Sequence, residues 1–386
     1  MRTLIISDLH LGSASGADVL RRREMRAPLL KALADVDRLV LLGDVLELRH
    51  GPPREVLAAA RPFFEDLGRA LAGRELIITA GNHDHALVEP WLARRAEEDD
   101  PPSLGVEQLL DPASVSPMLE RLAEWASPAR VLAAYPGLWV RSDVYATHGH
   151  YLDCHLTVPT LERLSVGAMS RVLGRPARAF ADVEDYEAVS SPVFAWRDAV
   201  ARDGRTGDAL NGVATVSAWR ALGGGSAGGS GGRAGARRGV RGNAVSSGLR
   251  RLRLSALVAA FPLAVAALNR AGIGPLRADI SSGELRRAGL RAMDEVAARL
   301  GLGDSYVVFG HTHRAGPLPG ERGQEWQAGR LVNAGSWTYA PAFLTPRPGE
   351  SPYWPGTCVL VEDSGPPVLQ RLLLDRTHAE LSPRPA

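Results

Sequence analysis

The stretch Thr-Leu-Ile-Ile-Ser-Asp-Leu-His at residues 3–10 decides the fold that this sequence encodes. Thr3–Ser7 is a short apolar run of the kind that forms a buried strand, and Asp8 and His10 follow it directly. Three more runs in the first 150 residues have this character: Leu39–Leu42, Leu76–Ala80 and Val144–Thr147. Helical patterns separate the first three strands, at Arg22–Ala34 and Arg54–Leu71. This alternation predicts an α/β architecture with strands buried on both faces.

A second region of the same kind begins near residue 281. Ser281 with Glu284 fits a capping box, and the apolar helix face that follows ends at Gly301. We therefore expect one helix there, followed by two buried strands and a closing hairpin. These lie at Tyr306–Phe309, Leu331–Asn333, Cys358–Val361 and Val368–Leu372.

Five of the strands are each followed by a short polar block. The blocks are Asp8-Leu9-His10, Gly43-Asp44-Val45-Leu46-Glu47, Gly81-Asn82-His83-Asp84, Thr147-His148-Gly149-His150 and Gly310-His311-Thr312-His313. A single block is weak evidence, because an Asp after a strand is often part of a turn and surface His pairs are common. Taken together, the blocks hold or adjoin most of the chain's 10 histidines. Side chains at the carboxyl ends of strands converge on one crevice, so the set favours a metal site.

The five blocks resemble those of the calcineurin-like metallophosphoesterase superfamily, over about residues 1–156 and 281–375. The resemblance implies two packed mixed β-sheets flanked by helices, with a large insertion. It also implies hydrolysis of a phosphoester, which is a phosphomonoester, phosphodiester or diphosphate, by a hydroxide that bridges two divalent metal ions. One ion would be held by Asp8, His10, Asp44 and His313. The same Asp44 would bridge to a second ion held by Asn82, His148 and His311.

The chemistry of these residues agrees with that assignment. Mixed oxygen and nitrogen ligands suit Mn²⁺, Fe²⁺ or Zn²⁺ better than Mg²⁺ or Ca²⁺, which prefer oxygen. Two cations about 3.5–4 Å apart can bind both the attacking and the leaving oxygen of an in-line displacement. A carboxylate between them, here Asp44, offsets their mutual repulsion, and water bound to both becomes acidic enough to attack.

The third block contributes a histidine that is not assigned as a ligand. The resemblance makes His83 the general acid for the leaving alkoxide, or a donor to the phosphoryl oxygen. Its orienting partner would be Glu47, where most members have Asp. Asp84 is either a second partner of His83 or a helix cap. His150 stands where many relatives have Asp, and we expect it to support the site or touch substrate.

Other residues in or near the blocks are interpreted as structural or supporting. His85 and His155 are expected more often to be surface or supporting residues than substrate contacts. The segment Asn333–Trp337 resembles the strand end and turn that follow the fifth block, and we expect a structural role for it. The second block is similar to that of the UDP-diacylglucosamine pyrophosphatase branch. That branch has Arg in place of His83, however, so no substrate identity is carried over.

Between the two regions, residues 157–280 show weak patterning and are predicted to be an insertion or lid. Residues 223–242 are rich in Gly, Ser and Arg and are predicted to be flexible. Residues 249–268 form an apolar stretch with arginines at its front. It would lie in a membrane interface, form a lid over an acyl chain, or form a packed helix of the insertion's own core. Residues 376–386 form a tail.

Composition narrows the function classes. A formal net charge of +2 and an aromatic content of 6% argue against nucleic acid as the partner, since the Arg-rich run has no aromatics. Two cysteines cannot build a disulfide framework, and we see no signal peptide or spanning run. We therefore expect a cytoplasmic enzyme, in part peripheral to the membrane, that acts on a phosphorylated small molecule or a lipid-linked substrate. The alternatives are a non-catalytic metal-binding scaffold and a membrane-surface adaptor; the complete ligand set with His83 favours the enzyme.

Overall fold

The computed structural model describes residues 1–49, 51–202, 261–321 and 323–383. The predicted flexible segment 223–242 lies outside these ranges. Residues 249–260, which form the arginine-fronted part of the predicted membrane-contacting stretch, also lie outside them.

Ten strands of the described residues form one mixed sheet. They are β1 (Thr3–Ile6), β2 (Arg38–Leu42), β3 (Glu75–Thr79), β4 (Glu107–Leu110), β5 (Arg130–Arg141), β6 (Val144–Thr147), β7 (Tyr306–Phe309), β8 (Leu331–Asn333), β9 (Thr357–Val361) and β10 (Val368–Arg371). Their order is β10-β9-β1-β2-β3-β5-β6-β7-β8, with β4 paired to β5. Every predicted strand is present, and the closing hairpin β9–β10 is antiparallel as expected. β4 and β5 were not predicted.

The long strand β5 joins two parallel parts of the sheet. Residues 130–134 pair with β3 in parallel, whereas residues 137–141 pair with β6 in an antiparallel register. β1, β2 and β3 are parallel to one another, and so are β6, β7 and β8. The mixed α/β fold is confirmed. The two sheets expected from the resemblance are hydrogen-bonded into a single one, because β5 belongs to both.

Side-chain alternation along the strands creates two apolar cores. Leu4 and Ile6 of β1 face a large core that includes the helices, whereas Ile5 between them faces a smaller core. The smaller core also contains Val308 of β7 and Val332 of β8. The two parts of the sheet therefore pack on each other through a layer of β-branched and aliphatic side chains, as expected for strands buried on both faces.

The helices flank this sheet. They are α1 (Arg23–Ala32), α2 (Pro53–Ala70), α3 (Glu89–Ala96), α4 (Pro112–Val115), α5 (Pro117–Trp125), α6 (Leu161–Val172), α7 (Val183–Arg202), α8 (Ser282–Arg299) and α9 (His378–Leu381), and residues 261–270 are also helical. α1, α2 and α8 confirm the three predicted helices. The Ser281 side chain accepts the N–H of Glu284 at the start of α8, and Gly301 follows its end with a φ of 73°. The first feature is an ordinary N-cap, and the second is an ordinary C-terminal glycine with left-handed backbone.

The described part of the predicted insertion is not separate from the core. α7 buries Val183, Tyr186, Val189 and Val193 in the same large apolar cluster as the helices of the first region. The helix α7 therefore packs as part of the same core. Among the described residues, no helix has the length and apolar character needed to cross a membrane.

Candidate metal centre

The structure brings all seven predicted metal ligands together. Asp8, His10 and His313 have ligand atoms within 4.8 Å of one another, and so do Asp44, His148 and His311. The Asn82 Oδ1 atom completes the second set, 3.1 Å from His148 Nε2 and 3.0 Å from His311 Nδ1. We call Asp8, His10 and His313 the first ligand group and Asn82, His148 and His311 the second ligand group.

Asp44 lies between the two groups. Its Oδ2 atom is 3.6 Å from His10 Nε2 and 3.5 Å from His148 Nε2. Its Oδ1 atom accepts the backbone N–H of His83 at 2.7 Å, which fixes the carboxylate plane. One oxygen is thus held by the main chain while the other faces both groups, as a bridging ligand would.

The spacing of the donor atoms fits bound cations. His313 Nε2 lies 3.1 Å from His10 Nε2 and 3.2 Å from Asp8 Oδ1. Two ligands bonded at about 2.1 Å to one ion would be roughly 3.0–3.4 Å apart. Asp8 Oδ1 is buried and has no hydrogen-bond partner among the described residues, while Oδ2 accepts from the Ser7 hydroxyl and the His311 N–H. The residues therefore fit the divalent ions that the sequence predicted.

Each ligand imidazole directs one nitrogen to the centre and binds a protein group with the other. These outer bonds fix the tautomer and the ring orientation. The partners are Glu47 Oε2 for His10 Nδ1 (2.9 Å), Thr338 Oγ1 for His313 Nδ1 (3.3 Å), the Leu42 carbonyl for His148 Nδ1 (3.0 Å) and Asp153 Oδ2 for His311 Nε2 (2.9 Å). The four rings are pre-oriented, which lowers the cost of assembling the site around an ion.

The backbone at the centre adopts an uncommon conformation. Among the described residues, seven other than glycine have positive φ, and five of them are predicted ligands. These five are Asp8 (56°), His10 (47°), Asp44 (49°), His311 (65°) and His313 (57°). Left-handed backbone at non-glycine residues is costly and is concentrated at functional sites. Here it turns the chain sharply at each strand end, so that side chains from successive positions face the same space.

Glycines before the ligands make room for them. A Cβ atom on Gly43, which has a φ of 78°, would overlap the His148 ring. A Cβ on Gly81 would overlap the Asp44 carboxylate, and one on Gly310 would overlap the Asp8 carboxylate. The glycines of the second, third and fifth blocks are therefore required by close packing of the ligands on the main chain.

The electrostatics of the centre favour cations. Burial lowers the pKa of His148, but Asp44 and then Asp8 outweigh it and raise the pKa to about 9. Burial also lowers the pKa of His10, but the hydrogen bond to Glu47 and the charge of Asp44 outweigh burial and raise the pKa to about 9. The negative charge of the buried carboxylates is thus larger than the permanent positive charge around them. A bound proton or metal ion compensates the difference.

His83 and Glu47 lie against each other beside the first ligand group. His83 Nδ1 lies 3.0 and 2.9 Å from the two Glu47 oxygens, and 24% of its side chain is exposed. Glu47 also holds His10, so this carboxylate connects the first ligand group to the unassigned histidine. Burial lowers the pKa of His83 to about 4, against the opposing charge of Glu47, and Arg49 lowers it further. The neutral ring is therefore the resting form.

Asp84 has a different environment from the one predicted. Its oxygens accept the backbone N–H groups of Gly81 (2.7 Å), Asp44 (3.2 Å), Val45 (2.7 Å) and Leu46 (3.1 Å). Its side chain does not cap the helical turn His85–Leu87 that follows. The fully buried carboxylate instead fixes the loop after β2 against the third block. This contact with main-chain donors gives Asp84 a structural role, whereas the sequence left open a second partner of His83 or a helix cap.

The remaining histidines lie behind or away from the ligands. The His150 ring is buried. Its centroid lies 5.6 Å from that of the His148 ring and 5.3 Å from that of the Phe194 ring, so it packs behind the second ligand group. His85 lies 3.7 Å from Glu187 of α7, and His155 Nε2 lies 2.7 Å from the Tyr186 hydroxyl. These contacts place all three side chains against neighbouring protein groups.

Two functional residues were not found from the sequence. Asp153 lies in the helical turn His150–Cys154, and its Oδ2 atom binds the His311 nitrogen that is directed away from Asn82. The guanidinium of Arg49 donates to the Asn82 carbonyl and lies 3.8 Å from Asp198 of α7. The only local signal for Arg49 is its position two residues after Glu47, whose Oε1 accepts the Arg49 N–H at 3.2 Å.

Comparison with known families agrees with this centre. The family model described as calcineurin-like phosphoesterase matches residues 1–182, which carry the first four blocks. This part of the chain belongs to the calcineurin-like metallophosphoesterase superfamily. The fifth block lies outside the match, and it is the geometry that joins His311 and His313 to the others. No curated protein matches the chain.

Proposed function

We propose that this protein hydrolyses a phosphoester with the help of two divalent metal ions, which are Mn²⁺, Fe²⁺ or Zn²⁺. The observation that carries the proposal is the position of Asp44 Oδ2, 3.6 Å from a histidine of the first ligand group and 3.5 Å from one of the second. A carboxylate oxygen shared by two sets of converging donors is the arrangement that a dinuclear centre needs. Membership of the metallophosphoesterase superfamily supports the reaction class.

The chain's own residues would divide the work as follows. The two ligand groups would hold the ions, and Asp44, which lies between the groups, would be a ligand to both. When bound, the ions supply Lewis acidity and an activated water for in-line attack on phosphorus. Glu47 accepts from Nδ1 of His83, so Nε2 of the neutral ring would accept a proton from the attacking water and pass it to the leaving oxygen. Such proton transfer contributes roughly 10²–10⁴-fold.

The alternatives from the sequence have less support. A non-catalytic scaffold commonly lacks a ligand or the proton-transfer group, whereas here the seven ligands and His83 converge. The membrane-surface adaptor depends on residues 249–268, of which 249–260 are outside the described residues, so that contact stays a prediction. Neither alternative accounts for the bond between Glu47 and His83, which a purely metal-holding site does not need.

The proposal is tested by removing the metal and restoring it. Chelator-treated protein is reconstituted separately with Mn²⁺, Fe²⁺ and Zn²⁺, and its metal content is measured by elemental analysis. Each form is then assayed on p-nitrophenyl phosphate and bis(p-nitrophenyl) phosphate. We expect two ions per chain and hydrolysis of at least one substrate, which the chelated protein lacks. A fully loaded protein that hydrolyses neither substrate would contradict the proposal.

A further inference from the structure

A cavity of about 310 Å³ opens directly from the candidate centre. One of its walls is formed by the centre itself, including Asn82, His83 and His313. This volume is at the lower end of the range for small-molecule sites, roughly 300–1,000 Å³. A phosphoester whose phosphorus reaches the ligand groups can therefore place its organic group in this space.

The walls away from the centre are largely apolar. Leu152 and Leu156 line one side, and both are buried in the fold. Leu285 and Leu290 of α8 also line the cavity, as does the ring of Trp326, which is 1% exposed. Aliphatic and aromatic walls contributed by separate elements give a surface that favours hydrocarbon over polar groups.

The charged groups of the cavity do not offer a second phosphate site. Arg286 and Arg314 line it, but both are ion-paired with Glu321. Arg286 also lies 2.9 Å from Glu325. Arg314 in addition lies over the Trp326 ring, 5.7 Å from its centroid. The positive charge of these two side chains is matched by two carboxylates, so the cavity wall lacks the surplus that a nucleotide or a diphosphate chain would need.

We propose that the substrate is a phosphoester of an apolar alcohol, and that its hydrocarbon group lies in the cavity between α8, Trp326 and the Leu152–Leu156 wall. This inference rests on the proposed function, because it assumes that phosphorus reacts at the neighbouring centre. The argument for this occupant is that one and the same cavity is lined both by the predicted ligand residues and by a large set of apolar side chains.

The first test compares a series of n-alkyl phosphates from methyl to octyl with the Mn²⁺-loaded protein. A buried methylene contributes about 0.8 kcal/mol, which is about fourfold in binding. We expect kcat/KM to rise by up to about fourfold per methylene until the cavity is filled. Phenylalkyl phosphates test a ring in place of a chain, and uridine monophosphate is the polar comparison. Equal kcat/KM for methyl and octyl phosphate, or a preference for the nucleotide, would overturn the inference.

Variants locate the effect in the cavity. Leu285 is only partly buried in α8, so Leu285→Gln is compatible with folding, and it should lower the octyl-to-methyl ratio of kcat/KM. Leu374, which is 41% exposed and does not line the cavity, supplies the matched control Leu374→Gln. The control should leave the ratio unchanged. A ratio lowered equally by both variants would count against the assignment.

A binding measurement separates this inference from the proposed function. Titration calorimetry with methylphosphonate and octylphosphonate, which are not hydrolysed, reports the cavity without turnover. Tighter binding of octylphosphonate by a protein that hydrolyses no phosphoester would support the cavity and refute the enzyme. Hydrolysis of methyl and octyl phosphate at equal kcat/KM, with equal binding of the two phosphonates, would support the enzyme and refute the cavity.

Discussion

The two ligand groups share Asp44 but differ in their exposure to solvent. In the first group, side chains of Glu47 and Thr338 bind the imidazoles, and 34% of the His313 side chain is exposed. In the second group, the side chain of His148 is fully buried and its Nδ1 atom binds the Leu42 carbonyl. The second group is more deeply enclosed by protein. Ligands of the same type can therefore hold their ions with different access to solvent, and we expect the ion in the first group to exchange faster.

The largest effect should come from removing the residue that both groups share. Asp44→Ala deletes the oxygen that faces both groups, so we expect loss of both ions and of nearly all hydrolysis. Elemental analysis and an aryl phosphate assay check this. Asp304→Ala, at a fully exposed position, is the control and should keep both ions. Two ions retained by Asp44→Ala would mean that the groups are independent.

A residue in neither group should affect rate without affecting metal. His83→Gln removes proton exchange at Nε2 but leaves the ligands in place. We expect full metal content and turnover reduced by about 10²–10⁴-fold on a substrate with a poor leaving group. His378→Gln, at a histidine bonded to Tyr339, is the control. An unchanged rate for His83→Gln would rule out the proton-transfer role.

The buried residues around Glu187, which pack behind the second ligand group, should make the stability of the fold depend on pH. Glu187 accepts the hydroxyls of Tyr135, Tyr151 and Ser191, and the Tyr151 ring packs on that of His150. Burial raises the pKa of Glu187, but the hydrogen bond and charge of His85 outweigh it and lower the pKa to about 2, from an ordinary value of 4.5. Ionised Glu187 therefore stabilises the fold above pH 4.5, and this stabilisation is lost as the pH falls towards 2.

The size of this effect is about 3 kcal/mol of unfolding free energy. It is measured by denaturant unfolding between pH 5 and pH 2.5, within roughly the window set by the two pKa values. Glu187→Gln should unfold more easily at pH 5 and show a weaker dependence on pH. Parallel pH profiles for the wild type and Glu187→Gln would show that the carboxylate is not the responsible group.

The smallest effects should distinguish the groups from each other. Asp153→Asn weakens the support of His311 and should reduce the affinity of one ion by about 10–100-fold. Glu47→Gln weakens the support of His10 and should reduce the affinity of the other. Competitive titration with a chelating dye resolves the two sites. If both variants weaken the same ion, the division into two groups is wrong.

The ligands could be predicted because each lies in a short block after an apolar strand. Their left-handed backbone and preceding glycines are local consequences of the same blocks. Asp153 could not be predicted in the same way, since it meets His311 across 158 residues and only through a turn of helix. For Asp84 the sequence left two roles open, and neither anticipated the main-chain donors of a loop 40 residues earlier.

The missed elements have physical reasons too. β5 has Pro136 and Gly137 in its middle, which interrupt the apolar pattern of a strand although both halves pair with neighbours. α6 and α7 lie in the region of weak patterning. The polar groups of α7, among them Glu187 and Asp198, are directed inward to buried partners, which removes the simple apolar face from which a helix is predicted.

The distance along the chain between ligands has a consequence for biosynthesis. His10 and His313, whose nitrogens lie 3.1 Å apart, are separated by 303 residues. A ribosome that has made the first four blocks has produced only part of either cation cage. The complete set of donors proposed for either ion therefore exists only after β7 has been synthesised and has paired with β6, so full coordination would be a late step of maturation.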